Sequence, residues 1–576
     1  MAQERFGART VLGGALSFIA LAAVIALFFA FRHRVEELHF PRFSIAIRHL
    51  PYYAFCSFYR MFAAYILALA FSIVYGLAAA RGGVWERVMI PAIDIAQSVP
   101  VIGFFPAAIY FFIALGHGSR LGVEMATTFL IFTSQAWNIT LGVYEGVKTI
   151  PGDLVEVLES FGVTGWLKLR RLLLPACVPK LVYNSILSWV SGWYFLIACE
   201  IITVGPAHYQ LPGLGSFLME AANHSQWMEV VAGLLILLAI IVAMDAVVWQ
   251  PLTQWAEKFR YEFAAAPPQA TRSLAMLEVF GAVGPFVTRL VRTAIHPLAI
   301  AIQSIAERMA RRKPREYPTD ARMARIVRRT TVAGMLGFFV WAIVEGLIAL
   351  VHGLSHPWPA EVRLIPGATL RSLLRIIVAY LISLGWTVPC AIAAAENPRF
   401  RRHVTPVAEI IGSMPATALF PLIVVFVINV TGEMNLASIL LILTGMQWYL
   451  LFNLLAGVNQ IPEDLQEAVR SFGLSRWQRW RKLTLPALMP SLITGSLTAW
   501  GGGWNALIVS EYIIYQDRTY KVLGLGALLD EATYRTDNSV MILLSLLSMV
   551  AVVIVLNRVF WRPLYDLAAE RYRLDY

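Results

Sequence analysis

Charged side chains are scarce in this chain. Only 14% of its 576 residues are Asp, Glu, Lys or Arg, whereas 58% are hydrophobic. A soluble globular chain carries roughly a quarter charged residues. A protein with so apolar a water-facing surface would aggregate, so the surplus of apolar residues must lie in lipid. The shortage of charge excludes a soluble protein and predicts an integral membrane protein.

Cysteine is also rare, and its four positions show no CxxC or other metal-ligand spacing. The four are Cys56, Cys177, Cys199 and Cys390. His352 and His356 are four residues apart, but Gly353 and Pro357 argue against a helix that would hold both on one face. No third ligand lies nearby in the sequence, so we expect no metal site.

Long apolar stretches, in contrast, are frequent. A membrane span needs about 20 apolar residues, and lipid offers no hydrogen-bond partners, so spans should be helices. The sequence therefore predicts an all-α integral membrane protein with twelve transmembrane helices, six on each side of a polar stretch at 252–330. The predicted spans lie near 11–31, 61–80, 95–115, 122–143, 182–204, 229–250, 331–351, 376–396, 408–430, 435–457, 491–513 and 540–560.

The formal net charge of +11 could indicate a protein that binds nucleic acid. The positions of the basic residues along the chain instead indicate a membrane protein in contact with lipid. The stretch 252–330 carries fourteen Lys/Arg against six Asp/Glu, and the loops 144–181 and 458–490 are also basic. Basic segments beside spans mark the cytoplasmic side. With six spans in each half, all three segments and both termini are expected to be cytoplasmic. The arginines of 32–60 are an exception to this rule.

The two halves repeat one another. Residues 145–156 match 456–467 at a constant offset of 311, and the match continues without a gap as far as Glu200 and Glu511. Upstream the offset becomes 315, which aligns Ser98-Val-Pro100 with Ser413-Met-Pro415. An even number of spans gives both repeats the same orientation. Such a parallel repeat predicts a permeation path at the interface between the halves.

The repeated loop has the signals of two short helices. Pro151 suits a first helical turn, and Asp153 follows where the helix dipole favours a carboxylate. Gly162 is placed as the C-terminal stop. Thr164 can then cap a second short helix, which Pro175 is expected to end before the next span. The second copy repeats these signals with Pro462, Asp464, Gly473, Ser475 and Pro486.

The pattern Glu-x5-Gly-x9-[Ile/Leu]-x-Leu-Pro in this loop resembles the EAA loop of ABC importer permeases of the type I fold. It reads Glu156, Gly162, Leu172, Leu174, Pro175 and again Glu467, Gly473, Leu483, Leu485, Pro486. The resemblance covers about 58–250 and 371–565. The residues after each glutamate, Val157-Leu158 and Ala468-Val469, depart from the family's paired alanines. Leu374-Arg375, Ser413-x-Pro415, Trp500-x3-Trp504 and Glu511 look most like the nitrate/sulfonate/taurine-type permeases.

The resemblance implies two permease halves, 1–251 and 331–576, joined by a basic cytoplasmic linker at 252–330, in a bacterial inner membrane. Coupling helices at 151–162 and 462–473 would dock on two copies of a cytoplasmic ABC ATPase. A periplasmic or lipid-anchored binding protein would deliver the substrate. That substrate would be a small anion such as nitrate, a sulfonate or a taurine-like compound. The coupling residues would be Asp153, Glu156, Gly162, Leu174, Pro175, Asp464, Glu467, Gly473, Leu485 and Pro486.

No phosphate-binding GxxxxGK[ST] motif occurs in the chain. We therefore expect ATP and Mg²⁺ to bind only to the partner ATPase. No cofactor and no enzyme activity are expected of this chain itself.

Several residues inside predicted spans are candidates for the pathway. A carboxylate in hydrocarbon is costly, so Glu200 and Glu511 should face a cavity or be hydrogen-bonded, and we favour a structural or gating role for them. The matched Ser-x-Pro sequences should break their helices. No Lys or Arg is expected deep within a span. The candidates are Ser98, Pro100, Trp137, Trp193, Glu200, Ser413, Pro415, Trp448, Trp504 and Glu511.

The main alternative is a twelve-span secondary transporter driven by an ion gradient. It would need ion relays inside the membrane, for which Glu200 and Glu511 are the chief support. It leaves the two matched loops unexplained, as does a structural or signalling membrane protein.

Overall fold

The computed structural model describes residues 44–90, 120–163, 165–201, 211–259, 357–459 and 471–571, apart from isolated positions inside these ranges, and a few single residues between 91 and 119 and between 460 and 470. Within this part of the chain the only strands form one two-stranded hairpin, and every other regular element is a helix.

The first half contains eight described α-helices. They are α1 (Leu50–Ala79), α2 (Arg120–Lys148), α3 (Gly152–Ser160), α4 (Gly165–Lys168), α5 (Leu174–Ile201), α6 (Leu214–Asn223), α7 (Trp227–Met244) and α8 (Gln250–Ala256). Short 3₁₀ or π turns extend them at Ile47–His49, Leu169–Leu173, Asp245–Trp249 and Glu257–Phe259.

The second half contains nine described α-helices. Its helices are α9 (Ile365–Glu396), α10 (Pro398–Ser413), α11 (Ala416–Thr431), α12 (Met434–Asn459), α13 (Arg476–Arg479), α14 (Leu485–Glu511), α15 (Leu525–Glu531), α16 (Ser539–Leu556) and α17 (Arg562–Arg571). Strands β1 (Tyr512–Tyr515) and β2 (Arg518–Lys521) pair antiparallel between α14 and α15. The 3₁₀ or π turns are Ala360–Leu364, Trp480–Thr484, Ala532–Thr536 and Asn557–Trp561.

Six described helical segments are long and apolar enough to cross a membrane. They are Ile47–Ala79, Leu169–Glu200, Trp227–Phe259, Ala360–Glu396, Met434–Val458 and Val540–Ala568. Each contains one of the predicted spans or most of it. The predicted spans 122–143 and 491–513 fall on α2 and α14, of 29 and 27 residues. The predicted spans 11–31 and 331–351, and nearly all of 95–115, lie outside the described residues.

Two predicted spans begin earlier than expected. α1 starts at Leu50 and α9 at Ile365, so Arg60 and Arg375 lie about ten residues inside these helices and are buried. The expectation that no arginine lies deep within a span was therefore wrong. The two arginines are tolerated there because each guanidinium forms an ion pair with a buried glutamate. A hydropathy pattern does not reveal such a pair.

The expected break at Ser413-x-Pro415 is confirmed. α10 ends at Ser413, Met414 has an extended backbone, and Pro415 is the N-cap of α11. The predicted span 408–430 is thus two helices with a sharp junction. Proline lacks the N–H that a continuous helix requires, and it disfavours a helical conformation at the residue before it.

The halves pack side by side in the same orientation. α2 lies between α1 and α5 in the first half, and α12 lies between α9 and α14 in the second. Ala198 and Cys199, at the end of α5, share one buried cluster with Leu507 and Ile508, at the end of α14. α11 of the second half also contacts α5 and α6 of the first. We call the side of α3 and α13 the loop side, and the opposite side the far side.

Candidate functional site

The first loop element ends as its glycine predicts. Gly162 has φ +71°, a conformation that side chains with a Cβ adopt at a cost. Its N–H donates to the Glu159 carbonyl, and the Val163 N–H donates to the Leu158 carbonyl. These two bonds form a Schellman motif, which satisfies carbonyls that the helix end leaves open. Pro151 lies one residue earlier than expected, at the N-cap of α3.

The surface of this element is exposed and partly apolar. Asp153 and Glu156 of α3 are both exposed. Val157 is half exposed and Phe161, at the turn, is 80% exposed. Val157 and Phe161 together give the first loop element an exposed apolar surface.

The second loop element repeats this surface. Gly473 has φ +61°, Glu467 is helical and exposed, and Phe472 is 80% exposed. Ser475 begins α13 in a capping box with Gln478, which confirms its predicted capping role. Asp464 and Thr164 lie outside the described residues. We call the exposed side chains Val157, Phe161, Phe472 and Trp477 the apolar loop surface.

Pro175 and Pro486 do not end the second short helices, so that prediction was wrong. A π turn at Leu169–Leu173 joins α4 to α5, and one at Trp480–Thr484 joins α13 to α14. Because the wider turn shifts the hydrogen bonds by one residue, it accommodates a residue that has no N–H. Each loop element is therefore continuous with a long helix. Leu174 and Pro175 are half-buried and line an apolar cavity of about 220 Å³.

A buried ion-pair cluster lies near the far side of the first half; we call it the first clamp. Arg60 of α1, 3% exposed, contacts Glu200 of α5 through Nη1 at 2.7 Å and Glu124 of α2 through Nε and Nη2 at 2.6 Å each. Ser57 Oγ donates to Glu200 at 2.8 Å. Three helices are thus tied together at one guanidinium.

The first clamp also holds the start of α6. Arg60 donates to the Pro212 carbonyl at 2.9 Å, the Leu214 N–H donates to Ser57 Oγ at 2.9 Å, and the Gly215 N–H donates to Glu200 at 2.8 Å. A Cβ on Gly213 would lie 2.3 Å from the Glu200 carboxylate, so only glycine fits there. Each of these three hydrogen bonds is charge-assisted or made to a side chain of the clamp.

The second half has a matching second clamp. Arg375 Nη1 and Ser372 Oγ both lie 2.7 Å from Glu511 Oε1. The Leu525 and Gly526 N–H groups donate to Ser372 and Glu511, at 2.9 and 2.8 Å. The offsets of 315 and 311 found in the sequence thus relate the arginine, serine and glutamate of the two clamps.

One member differs between the clamps. Asn435 stands where the first half has Glu124, and its Oδ1 accepts from Arg375 at 2.9 Å. Gly524 repeats Gly213, since a Cβ there would lie 2.1 Å from Glu511. Sequence reasoning did not place the arginines or the serines of either clamp in a buried cluster. Their recurrence at the offset of 315 is the signal that could have found them.

The remaining pathway candidates occupy different environments. Trp193 and Trp504 are fully buried, while Trp137 and Trp448 are half-buried against Phe71 and against Trp386 and Phe452. Pro415 is buried at the junction of α10 and α11. Ser98 and Pro100 lie outside the described residues. The structure therefore brings Glu200 and Glu511 into clamps and places Trp137, Trp193 and Trp448 in aromatic packing. Trp504 lies in the buried apolar cluster between the halves.

Outside the spans, the Glu86 carboxylate accepts hydrogen bonds from the Lys148 ammonium, at 2.7 Å, and from the Tyr144 hydroxyl. These two donors lower the pKa of the Glu86 carboxyl. The contact ties the segment after α1 to the loop-side end of α2.

A two-fold repeated helical bundle in the membrane, with a capped element projecting from each half, defines a multi-pass transport component. The chain belongs to the family of binding-protein-dependent transport system inner membrane components, whose model matches residues 72–248 and 387–562, more than half of the chain. It is thus a fused permease of two parallel repeats in a twelve-helix arrangement.

The curated relatives are permeases of similar systems. Over 142 residues the chain is 30% identical to the taurine transport system permease protein TauC of Escherichia coli (strain K12), covering 25% of this chain and 50% of that protein. It is 26% identical to the nitrate import permease protein NrtB of Leptolyngbya laminosa over 30% of this chain and 58% of that protein.

A third relative is matched over a longer region. The trimethylamine N-oxide transport system permease protein TmoV of Ruegeria pomeroyi (strain ATCC 700808 / DSM 15171 / DSS-3) is 22% identical over 488 residues, 78% of this chain and 68% of that protein. A match of this length includes residues from both halves.

Proposed function

We propose that this chain forms the translocation pathway of an ATP-driven importer for a small anion and couples that pathway to separate ATPase subunits. The observation that carries the proposal is the apolar loop surface. Two exposed aromatic tips, each on a glycine-terminated turn, lie on the same side of two parallel halves. A pair of identical partner subunits fits this two-fold arrangement.

The geometry supports force transmission. Because α4 continues through a π turn into α5, and α13 into α14, displacement of a loop element moves a long helix directly. Each long helix ends at a clamp glutamate on the far side. Movement imposed by ATPase subunits on the loop side would thus reach the far side through two rigid helices.

The proposed assembly has definite parts. Residues 1–251 and 331–576 are the permease halves, and 252–330 is a cytoplasmic linker. Two copies of a cytoplasmic ABC ATPase hold ATP and Mg²⁺ and bind the loop elements, with Glu156 and Glu467 pairing with basic groups at the rim. A periplasmic or lipid-anchored binding protein delivers the solute at the far side. Both termini are cytoplasmic, in a bacterial inner membrane.

The proposed substrates are small anions such as nitrate, sulfonates or taurine-like compounds. The similarity to taurine and nitrate permeases supports this class. A secondary transporter is the second candidate, and Glu200 and Glu511 would be its ion relays. Each carboxylate already accepts hydrogen bonds from an arginine, a serine and a backbone N–H, which favours a structural role.

Energy dependence separates the two candidates. In proteoliposomes containing the transporter, its ATPase and its binding protein, we expect uptake of labelled taurine or nitrate to require ATP hydrolysis and to resist a protonophore. The variant with Glu156→Arg and Glu467→Arg together should lose most of this uptake, because charge reversal opposes docking. Uptake driven by a proton gradient without ATP would instead establish the secondary transporter.

A further inference from the structure

The apolar cavity of about 220 Å³ lies at the loop-side end of the first half. The end of α1, the end of α2, the start of α5, and α8 with the turn after it form its walls. Ile73 is six residues from the end of α1 and Val143 five from the end of α2, so both lie within about 10 Å of those ends. Three of the four wall segments belong to helices long enough to cross a membrane. The cavity therefore lies at the membrane boundary.

The second half fills the equivalent place with a side chain. At the offsets of 315 and 311, the lining residues Ile73, Val143 and Leu181 correspond to Val388, Leu454 and Leu492. These three equivalents pack against Leu488 in one apolar cluster. The first half has Cys177 at the position of Leu488. Because cysteine lacks the branched end of leucine, the same framework encloses a space in the first half.

The cavity wall suits hydrocarbon better than water. The Cys177 thiol already donates to the Val143 carbonyl, at 3.4 Å. Apart from Cys177 and Arg170, the lining side chains that the structure describes are aliphatic or aromatic. A buried water needs two to four polar partners, whereas a dry cavity of about 150 Å³ with such walls binds a small hydrocarbon. Trp255 lines the cavity and is 36% exposed, so the space is open to the outer surface of the bundle.

Positive charge and aromatic rings lie beside this apolar space. Arg170 lines the cavity from the π turn before α5 and is half-buried, and Arg171 next to it is exposed. Trp255 and Phe259 pack edge to face, with ring centroids 4.9 Å apart. Tryptophan and basic residues at the end of a span are typical of the level of lipid headgroups. A guanidinium binds a phosphate group through two parallel hydrogen bonds. The site thus favours a ligand that joins a phosphate to a hydrocarbon chain.

We propose that this cavity binds one acyl chain of an anionic phospholipid, whose phosphate group pairs with Arg170. An acyl chain gains little by leaving its neighbours in the bilayer, since they are as apolar as the cavity wall. The chain instead restores the van der Waals contacts that an empty space lacks, and the phosphate selects the lipid. A choline headgroup offsets the charge of its own phosphate, so a zwitterionic lipid binds less well.

Native mass spectrometry of the purified full chain tests the headgroup. We expect phosphatidylglycerol to bind at least tenfold more tightly than phosphatidylcholine with the same acyl chains. Arg170→Gln should reduce this preference to twofold or less. Arg481→Gln is the matched control, because it changes the equivalent arginine of the second half, and it should keep the preference. Equal dissociation constants for the two lipids, or the same loss in both variants, would overturn the role of Arg170.

Cys177→Leu tests the cavity itself, since it introduces the residue that the second half has at this place. It should fill the space, so Tm in detergent without lipid should stay the same or rise. Phosphatidylglycerol should bind at least tenfold more weakly, and a photoreactive acyl chain should no longer crosslink to 174–181. A lower Tm would show that no space lies beside Cys177. Unchanged lipid binding would show that the lipid lies elsewhere, and either result contradicts the proposal.

These measurements need neither the ATPase nor a transported solute, so the lipid site goes beyond the proposed function and is tested apart from it. Loss of the phosphatidylglycerol preference in the native chain would leave the coupling role intact. Uptake that does not need ATP would refute the coupling role and leave the lipid site standing.

Discussion

Replacing Phe161 and Phe472 by alanine together is expected to release the ATPase subunits from the membrane complex and to reduce ATP-dependent uptake to background. Both rings are 80% exposed at the tips of the loop elements, where burial in a partner would be their main role. Truncating an aromatic hot spot costs about 2–4 kcal/mol of binding, or roughly thirtyfold to a thousandfold in affinity. Copurification of the ATPase with the tagged chain measures the effect.

The matched control for this variant is Phe426→Ala. Phe426 is a similarly exposed aromatic residue on α11, but it is not part of a loop element. It should retain both ATPase and uptake. Of the single loop variants, Phe161→Ala should have the larger effect, because the exposed Trp477 remains beside the second element. Full copurification with the double variant would contradict the role of the apolar loop surface.

Arg375→Met is expected to lower the free energy of unfolding by about 3–5 kcal/mol. The substitution keeps the length of the side chain and removes the charge, so Glu511 stays buried without its counter-ion. The Leu523 carbonyl loses a donor at the same time. Denaturant or thermal unfolding of the purified chain in lipid or detergent measures the loss.

Two further variants identify the cause. Arg375→Met combined with Glu511→Gln should recover much of the loss, because Glu511 no longer leaves an unpaired charge while the acceptor for Gly526 is kept. Arg535→Met removes a salt bridge of a 70% exposed arginine and should change stability by less than about 0.5 kcal/mol. If Arg375→Met and Arg535→Met were equally mild, the second clamp would not hold the fold together.

The repeat explains how much could be predicted from the sequence. An offset of 311 links every element of the loops with its counterpart, so two glycine-terminated turns and a matched pair of glutamates were predictable without a structure. Gly162 and Gly473 have positive φ, as their positions after a short helix require. These features depend on local backbone chemistry, which a sequence records directly.

The clamp arginines could not be predicted from hydropathy. A hydropathy window treats a charge as a break, and it therefore began the spans after Arg60 and Arg375. The guanidinium of Arg60 is stable there only because Glu124 and Glu200 approach it from two other helices. Tertiary pairing of this kind is absent from any local window.

Pro175 shows a different limit. A proline after a basic amphipathic helix normally ends that helix, but here a π turn carries the chain into α5. The choice depends on how the turn packs against the bundle, where Leu172 is buried.

The most direct test of the account is site-specific crosslinking in native membranes that contain the whole transporter. A photoreactive residue placed at Phe161, and separately at Phe472, should form adducts with the ATPase subunit, with the yield at each position changing when ATP is bound. A photoreactive residue at Phe426 should form none with the ATPase. If neither loop position gives an ATPase adduct in a complex that transports its solute, the coupling role of these elements is contradicted.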